Sequence, residues 1–237
     1  MKKTKKIIVF SVIIALIIAF CTLSTILLAK QKNSQVSDYW QQKVSSFAVQ
    51  NANLSKGQIV FVGDSITDLY HLDDYYTDLN LATYNRGIGG DTTSGVLKRM
   101  NESIFDLAPS KIVIMIGIND INGGTNLPTV SRNYNEILKQ IKQNLPTTQV
   151  YCMSVLPIGA KILDYIDINL TERNALIQEF NGMLQNLTAE YNYTYLDMFS
   201  LVSDEDNSMK NEYTIDWGHL SDAGFTVWTN LIKPYLV

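Results

Sequence analysis

Short apolar runs alternate along most of the chain with longer segments whose apolar residues recur at helical spacing. The runs have the length of buried strands, and they lie at Gln58–Val62, Ala82–Asn85, Ile112–Ile116, Gln149–Val155 and Tyr193–Leu196. Helical patterns cover Thr92–Asn101, Leu127–Asn144, Leu170–Tyr191 and Ser221–Tyr235, the last with Ser221 as its predicted N-cap. Strands that alternate with helices favour a parallel sheet covered on both faces. The pattern therefore predicts an α/β domain with a five-stranded parallel sheet.

The start of the chain has a different pattern, which is typical of a membrane-spanning segment. Met1 to Lys6 contains four lysines, and the 23 residues from Ile7 to Ala29 carry no charge. A helix of this length spans the roughly 30 Å hydrocarbon core of a bilayer. A cleaved signal peptide is the alternative, but its apolar stretch is usually about 7–15 residues long. We therefore expect an uncleaved transmembrane anchor over residues 7–29.

The distribution of lysines predicts how this anchor is oriented. Four lysines precede the span, and only Lys30 and Lys32 follow it closely. Positive charge favours the cytoplasmic side, so residues 1–6 are expected to form a cytoplasmic tail. Residues 30–56 are expected to form a linker and a leading helix, and residues 57–237 to form the α/β domain outside the cell membrane. Cleavage of the anchor would instead release a secreted protein.

Charge and cysteine content exclude several classes of protein. Without residues 1–32 the chain keeps 13 basic and 23 acidic residues, and such an acidic domain lacks the basic footprint of a nucleic-acid partner. Cys21 lies inside the apolar span and Cys152 inside a strand pattern, so the sequence predicts no disulfide. No cysteine and histidine cluster has zinc-ligand spacing. We expect neither a metal nor an organic cofactor.

Polar segments follow the predicted strands at the points where ligands bind in open parallel sheets. In such sheets, ligand sites lie beyond the carboxyl ends of the strands. The segments are Gly63-Asp64-Ser65, Asn85 to Thr92, Gly117 to Asp120, and Asp216 to His219 before the last helix. We expect all four to meet at one edge of the sheet.

The scarcity of histidine narrows the chemistry that this edge can perform. Nucleophilic acyl transfer requires a hydroxyl, a base and donors for the oxyanion, and the chain contains only His71 and His219. His71 follows Ser65 by six residues, on the predicted next helix, and is interpreted as a surface residue. His219 follows Asp216 by three residues, so the carboxylate can reach its Nδ1 and leave Nε2 for a serine.

Four short motifs, GDSIT, NRGIGGDT, GIND and DWGH, occur in this order along the chain. They resemble the signature blocks of the SGNH (GDSL-type) hydrolases, and the resemblance covers most of residues 57–237. The stretch NRGIGGDTT is similar to the branch that contains platelet-activating-factor acetylhydrolase-like and lysophospholipase-like enzymes. The resemblance implies a flavodoxin-like, three-layer α/β/α fold.

The same resemblance implies a role for each motif residue. Ser65 matches the nucleophile, and Asp216 and His219 match the acid and the base. The oxyanion hole is implied to consist of the N–H groups of Ser65 and Gly90 and the side-chain amide of Asn119. Four other polar residues at the strand ends are interpreted as turn-shaping rather than catalytic: Asp64, Asn85, Asp91 and Asp120.

The implied activity is that of a serine esterase that works through an acyl-serine intermediate. The expected substrates are small esters, lysolipids or acylated cell-wall glycans, with short acyl groups favoured because no long apolar lid segment is evident. Pro157 to Leu170 and residues 203–211 are predicted to be loops at the pocket wall. An O-acyltransferase with the same acyl-enzyme and an inactive glycan-binding module are the alternatives.

Overall fold

Five parallel strands form the central sheet, in the order β2-β1-β3-β4-β5. A computed structural model of the chain describes Thr22 and residues 38–237. Every neighbouring pair of strands is parallel, with Ile59 of β1 in register with Thr83 of β2 and Lys111 of β3. The strands are β1 Ile59–Gly63, β2 Thr83–Gly87, β3 Lys111–Met115, β4 Gln149–Met153 and β5 Thr194–Leu196. The predicted five-stranded parallel sheet is confirmed.

The helices alternate with these strands along the chain. Residues 38–51 are helical and are called α1. The others are α2 Ser65–Asp68, α3 Thr93–Lys98, α4 Met100–Ser103, α5 Ile118–Asn122, α6 Leu127–Asn144, α7 Leu170–Glu190, α8 Met198–Val202 and α9 Asp222–Leu236. Short 3₁₀ turns lie at Leu72–Asp74, Phe105–Leu107, Ala160–Asp164 and Asn211–Tyr213.

The chain divides into two units, Met1–Gln42 and Lys43–Val237. The second unit contains the whole sheet, and the described residues of the first are Thr22 and 38–42. None of the helices in the described part of the chain combines the length and hydrophobicity that a membrane crossing requires. Apart from Thr22, the anchor predicted over residues 7–29 lies outside the described residues.

Two apolar cores lie on opposite faces of the sheet. Successive residues of a strand point to opposite faces, and in β1 Val60 and Val62 belong to one core while Ile59 and Phe61 belong to the other. Side chains of α3, α6 and α7 cover the first core, and side chains of α9 cover the second. Helices therefore cover both faces of the sheet, which gives the predicted three-layer arrangement.

Two observed helical segments are shorter than the sequence pattern predicts. The helix expected after Ser65 ends at Asp68, because the Asn85 side chain donates to the carbonyls of Thr67 and Tyr70. His71 therefore precedes a 3₁₀ turn rather than lying on a helix, and the prediction for its location was wrong. The helix expected over Thr92–Asn101 is interrupted at Arg99, which has non-helical φ −122° and ψ 22°.

The close approach of α2 to the end of β2 generates a prediction for Gly87. A Cβ at Gly87 would lie 2.1 Å from the backbone N of Asp68, and backbone cannot move aside as a flexible side chain can. We expect Gly87→Ala to lower the free energy of unfolding by about 3 kcal/mol. At about 2–4 °C per kcal/mol, the melting temperature should fall by roughly 6–12 °C.

Gly182 on α7 provides the matched control, because no atom lies within 4 Å of the position that its Cβ would take. Alanine is favoured over glycine in helices by about 1 kcal/mol, so Gly182→Ala should raise the melting temperature. Both variants can be compared by thermal unfolding. A melting temperature for Gly87→Ala at or above the unsubstituted protein would contradict the packing of α2 against β2.

Candidate active site

Three polar side chains from distant parts of the chain form one hydrogen-bonded series. Ser65 is the first residue of α2, directly beyond β1, whereas Asp216 and His219 lie in the loop before α9. His219 Nε2 is 2.9 Å from Ser65 Oγ, and His219 Nδ1 is 2.7 Å from Asp216 Oδ2. The structure thus brings together the three residues that the sequence predicted to be nucleophile, acid and base.

The loop around Asp216 fixes the position of the His219 ring. Asp216 Oδ1 accepts hydrogen bonds from the N–H groups of Trp217, Gly218 and His219. Its second oxygen, Oδ2, is thereby turned toward the imidazole Nδ1. A hydrogen on Nδ1 leaves Nε2 as an acceptor for the Ser65 hydroxyl. The short Asp-x-x-His spacing therefore sets both the orientation and the tautomer of the ring.

The same contacts determine the charge of Asp216. Partial burial acts to raise its pKa, but hydrogen bonds from the Gly218 N–H, the His219 ring and the N–H groups of His219 and Trp217 outweigh burial. The pKa of Asp216 is therefore held well below its ordinary value, and the carboxylate stays ionised at neutral pH. An ionised carboxylate at this position can accept a hydrogen bond from Nδ1 of the ring.

Two backbone N–H groups near Ser65 are available to a ligand. Asp64 Oδ1 accepts from the Ile66 N–H at 3.0 Å, and neither Ser65 N–H nor Gly90 N–H donates to another residue in the described part of the chain. Gly90 has φ +76°, a left-handed conformation that glycine adopts readily. No atom lies within 4 Å of the position that a Gly90 Cβ would occupy, so the space beside this residue is open.

The side-chain amide of Asn119 is fixed beside the Gly90–Asp91 segment. Asn119 lies in the first turn of α5, beyond β3, and its Nδ2 donates to the Asp91 carbonyl at 2.9 Å. A primary amide carries two N–H donors, so this bond leaves the second N–H for a ligand. Gly90 and Asn119, predicted from separate motifs to be oxyanion donors, are thus linked through Asp91.

The turn-shaping residues hold the polypeptide around these groups. Asn85 Oδ1 accepts from the Gly87 N–H at 2.8 Å. Asp120 accepts from both the N–H and the hydroxyl of Thr93, at 2.8 and 2.7 Å. Asp91 accepts from Arg99 Nε at 2.7 Å. These hydrogen bonds join the ends of neighbouring strands and helices, as expected for residues that shape turns.

Asp64 differs sharply from Asp216 in its electrostatics. Its side chain is buried, and burial raises its pKa to about 7. The hydrogen bond from the Ile66 N–H and the nearby His219 oppose this rise, whereas the neighbouring carboxyls of Asp91 and Asp120 add to it. A large part of Asp64 is therefore protonated near neutral pH.

Sequence reasoning missed two charged residues that support this site. Arg99 is fully buried and donates to groups at the ends of β1 and β2. Asp68 binds Lys43 at 2.6 Å and accepts from the Gly89 N–H at 3.2 Å. The spacing of Arg99 from Val96 and Ser103 could have predicted its burial, because it places a charged residue on the inward face of a helical pattern.

The two predicted pocket-wall loops are hydrogen-bonded to each other, and the first also contacts the segment that carries His219. The Gly159 N–H donates to the Trp217 carbonyl at 2.7 Å, and Ser208 Oγ donates to the Ile158 carbonyl at 3.2 Å. On α7, Asn174 binds both backbone groups of Ile158 and anchors the loop from below. The first loop is therefore held against the segment that carries His219, and the second loop is held against the first; their role as pocket walls stays a prediction.

His71 belongs to a different part of the second unit. It lines a cavity of about 410 Å³ between α1 and β2, together with Lys43, Phe47 and Arg86. Neither Ser65 nor His219 lines this cavity. Among the residues that the structure describes, no group of three or more histidine, cysteine or acidic side chains could hold a metal ion.

The sheet order and the serine–histidine–aspartate series define an α/β protein of hydrolase type. Residues 61–227 match the model of the GDSL-like lipase/acylhydrolase family. The match covers more than half of the chain, which therefore belongs to this family of enzymes. The family resemblance inferred from the four motifs is confirmed.

Known proteins with similar sequences and structures agree with this assignment. Platelet-activating factor acetylhydrolase IB subunit alpha1 from Bos taurus is 27% identical over 172 residues, covering 71% of this chain and 70% of the bovine protein. A solved structure from Streptococcus pneumonia, described in connection with platelet activating factor, has 25% identity and a TM-score of 0.81, over 89% of this chain and 99% of that chain. A GDSL-like lipase structure from Bacteroides thetaiotaomicron, 23% identical with a TM-score of 0.68 over 81% and 96% of the two chains, supports the fold.

The raised pKa of Asp64 generates a prediction for stability against pH. A carboxyl whose pKa rises from 3.8 to about 7 on folding weakens the fold as pH increases through that window. Between pH 5 and pH 8 this effect should remove roughly 3 kcal/mol from the free energy of unfolding. Asp64→Asn abolishes the titration, so the variant should gain stability relative to the unsubstituted protein as the pH rises.

Urea unfolding at pH 5 and pH 8 measures this difference. Asp73→Asn, a substitution of an exposed aspartate, serves as the control and should leave the pH dependence unchanged. If the free energies of unfolding of the unsubstituted protein and Asp64→Asn change in parallel between the two pH values, the assignment of a protonated Asp64 is wrong.

Proposed function

We propose that this protein is a serine esterase that hydrolyses carboxylic esters through an acyl-serine intermediate. The observation that carries the proposal is the series from Ser65 Oγ to His219 Nε2, at 2.9 Å, and from His219 Nδ1 to Asp216 Oδ2, at 2.7 Å. A hydroxyl, a base that can accept its proton and a carboxylate that orients the base are the components of nucleophilic acyl transfer.

In the first step, His219 accepts the proton of the Ser65 hydroxyl as Oγ attacks the ester carbonyl carbon. The bond from Oγ to that carbon forms while the carbonyl π electrons move onto the oxygen. Asp216 stays ionised and stabilises the imidazolium that results. His219 then gives this proton to the departing alkoxide, so that an alcohol leaves and the acyl group remains on Ser65.

The negative charge on the carbonyl oxygen is assigned to three neutral donors. They are the N–H groups of Ser65 and Gly90 and the second N–H of Asn119 Nδ2. The open space at Gly90 and the bond from Asn119 to Asp91 support this assignment. Removal of one such donor typically lowers kcat by about 10²–10³, so the positions of the three donors are expected to contribute substantially to the rate.

In the second step, water replaces the alcohol. His219 takes a proton from the water, whose oxygen attacks the acyl carbonyl and passes through the same oxyanion contacts. Collapse of this intermediate breaks the bond to Ser65 Oγ, which recovers its proton from His219, and the carboxylic acid is released. The proposed reaction requires no metal and no organic cofactor.

The proposed substrates are esters with short acyl groups, carried by a lysolipid or by a cell-wall glycan. The curated relatives are named acetylhydrolases, which supports an acetyl-sized group. The loop over Pro157–Leu170 forms only a short 3₁₀ turn at Ala160–Asp164 rather than a long apolar lid. If the acyl group were passed to an acceptor other than water, the protein would be an acyltransferase.

Replacement of Ser65 tests the reaction directly. We expect Ser65→Ala in the full-length chain to lower kcat for p-nitrophenyl acetate by at least about 10⁴, because the nucleophile is lost. Ser46→Ala, at an exposed position on α1, should retain the unsubstituted rate. The unsubstituted protein should hydrolyse the acetyl ester faster than the octanoyl ester, and a fluorophosphonate probe should label it only where Ser65 is present.

Each contrary result has a defined meaning. Hydrolysis by Ser65→Ala at the unsubstituted rate would refute the role of Ser65. Absence of both hydrolysis and labelling in the unsubstituted protein would favour the inactive glycan-binding module. Transfer of the acyl group to an added sugar in preference to water would identify an acyltransferase.

We further infer that residues 7–29 anchor the protein in the cell membrane with residues 30–237 outside. The support is the uncharged stretch of 23 residues and the four lysines that precede it. Such an anchor would hold the esterase near lipid or cell-wall esters.

Proteolysis of intact cells tests this orientation. A protease added outside should degrade the α/β domain while a cytoplasmic control protein remains whole, and lysis should expose both. Protection of the domain in intact cells would refute the orientation. Recovery of the domain in the culture medium, cleaved after the apolar stretch, would favour the signal peptide.

A further inference from the structure

A fully buried arginine, Arg99, lies beneath the groups that are proposed to bind the oxyanion. Its side chain is 0% exposed and donates four hydrogen bonds. Nη2 donates to the Gly63 carbonyl at 2.9 Å, Nη1 to the Arg86 carbonyl and Ser103 Oγ at 2.7 Å each, and Nε to Asp91 Oδ2 at 2.7 Å. One side chain thus connects β1, β2, α4 and the loop after β2.

Two of these contacts lie within two residues of a proposed donor, and one of the two also holds the side chain of the third donor. Gly63 precedes Ser65 by two residues, and its carbonyl also accepts from the Ile88 N–H at 3.1 Å. Asp91 follows Gly90 directly, and its carbonyl accepts from Asn119 Nδ2 at 2.9 Å. Through Gly63 and Asp91, Arg99 therefore anchors the backbone that carries the N–H groups of Ser65 and Gly90. It also anchors the Asp91 carbonyl, which holds the Asn119 side chain.

The carboxylate of Asp91 is closely packed and has little room to move. A Cβ at Gly95 would lie 1.7 Å from Asp91 Oδ1, so this carboxylate packs directly against α3. The same oxygen accepts from the Thr92 N–H at 2.9 Å. Oδ1 is thus held independently of Arg99, whereas Oδ2 is held by Arg99 Nε, so a change at Arg99 removes one of the two restraints on this carboxylate.

Arg99 also carries the charge that compensates the acidic residues in this region. Burial lowers the pKa of Arg99. The carboxylate of Asp91 acts to raise this pKa, and the more distant Asp64 and Asp68 act in the same direction. Without a cation here, the carboxylates beneath the site would oppose the development of a negative oxyanion, since charges interact strongly where water is excluded.

We propose that Arg99 is a positioning residue that holds the oxyanion donors of Ser65, Gly90 and Asn119 in place through its bonds to Gly63 and Asp91. This inference rests on the proposed esterase function and adds to it a residue that does not touch the substrate. It predicts a loss in kcat, because the donors act in the transition state, with little change in KM.

Two substitutions in the full-length chain test the inference. Arg99→Lys keeps the charge but cannot reach all four acceptors, and Asp91→Asn keeps an oxygen for Arg99 Nε but removes the carboxylate charge. For p-nitrophenyl acetate we expect each to lower kcat by about 10–100-fold, a partial loss compared with full removal of a donor. KM should stay within about threefold, and inactivation by a fluorophosphonate should slow in parallel with kcat.

Thr148→Val is the matched control for lost stability. Thr148 is buried and donates to the Pro109 carbonyl at 2.6 Å, where β3 and β4 begin. This substitution should lower the melting temperature without changing kcat when activity is measured well below that temperature. If Arg99→Lys and Asp91→Asn also lose only stability and keep the unsubstituted kcat, Arg99 is merely structural and the inference is overturned.

Ser65→Ala, assayed alongside, separates this inference from the proposed function. If Ser65→Ala is inactive and the two positioning variants are fully active, the esterase proposal stands and the role of Arg99 falls. If Ser65→Ala is as active as the unsubstituted protein, both fall together. A larger rise in KM than fall in kcat would also overturn the inference, because it would indicate a role in substrate binding.

Discussion

The Gly63 carbonyl oxygen is the point on which the geometry of the site depends. It accepts from the Ile88 N–H beyond β2 and from Arg99 Nη2, and so fixes the ends of two neighbouring strands to each other. A Cβ at Gly63 would lie 2.1 Å from Thr67 Oγ1 and 2.5 Å from the Met115 carbonyl, so no larger residue fits. Ser65 begins α2 two residues after Gly63. The contacts of Gly63 therefore set the position of the backbone at Ser65.

Two aspartates in this region show how local contacts assign different roles to the same side chain. Asp216 receives three backbone N–H groups and the His219 ring, which keep it ionised despite partial burial. Asp64 accepts from one backbone N–H in a buried position, and burial raises its pKa to about 7. Deeper burial and fewer donors together raise the pKa of Asp64, whereas the donors around Asp216 outweigh its partial burial. Asp216 is therefore the carboxyl that can balance the charge of an imidazolium.

The sequence predicted elements well where one periodic pattern governs a whole segment. Helix α6 was predicted as Leu127–Asn144 and is observed with the same ends, and Ser221 caps α9 by accepting from the Gly224 N–H. Prediction failed where a distant side chain competes for the backbone. Asn85 ends α2 after Asp68, and the non-helical backbone of Arg99 divides the helix expected over Thr92–Asn101. Neither effect leaves a periodic signal, since both depend on residues that meet only in the folded sheet.

The site is built from two halves that are anchored separately. The oxyanion donors belong to the half held by the buried Arg99 and Asp91, whereas the side chains of Asp216 and His219 are about one third exposed. The loop over Pro157–Leu170 is attached to the segment that carries His219 through the bond from the Gly159 N–H to the Trp217 carbonyl. We therefore expect substitutions in this loop to change which ester is accepted while the proposed oxyanion donors in the buried half keep their geometry. Changes beneath the donors should instead alter the rate for all esters alike.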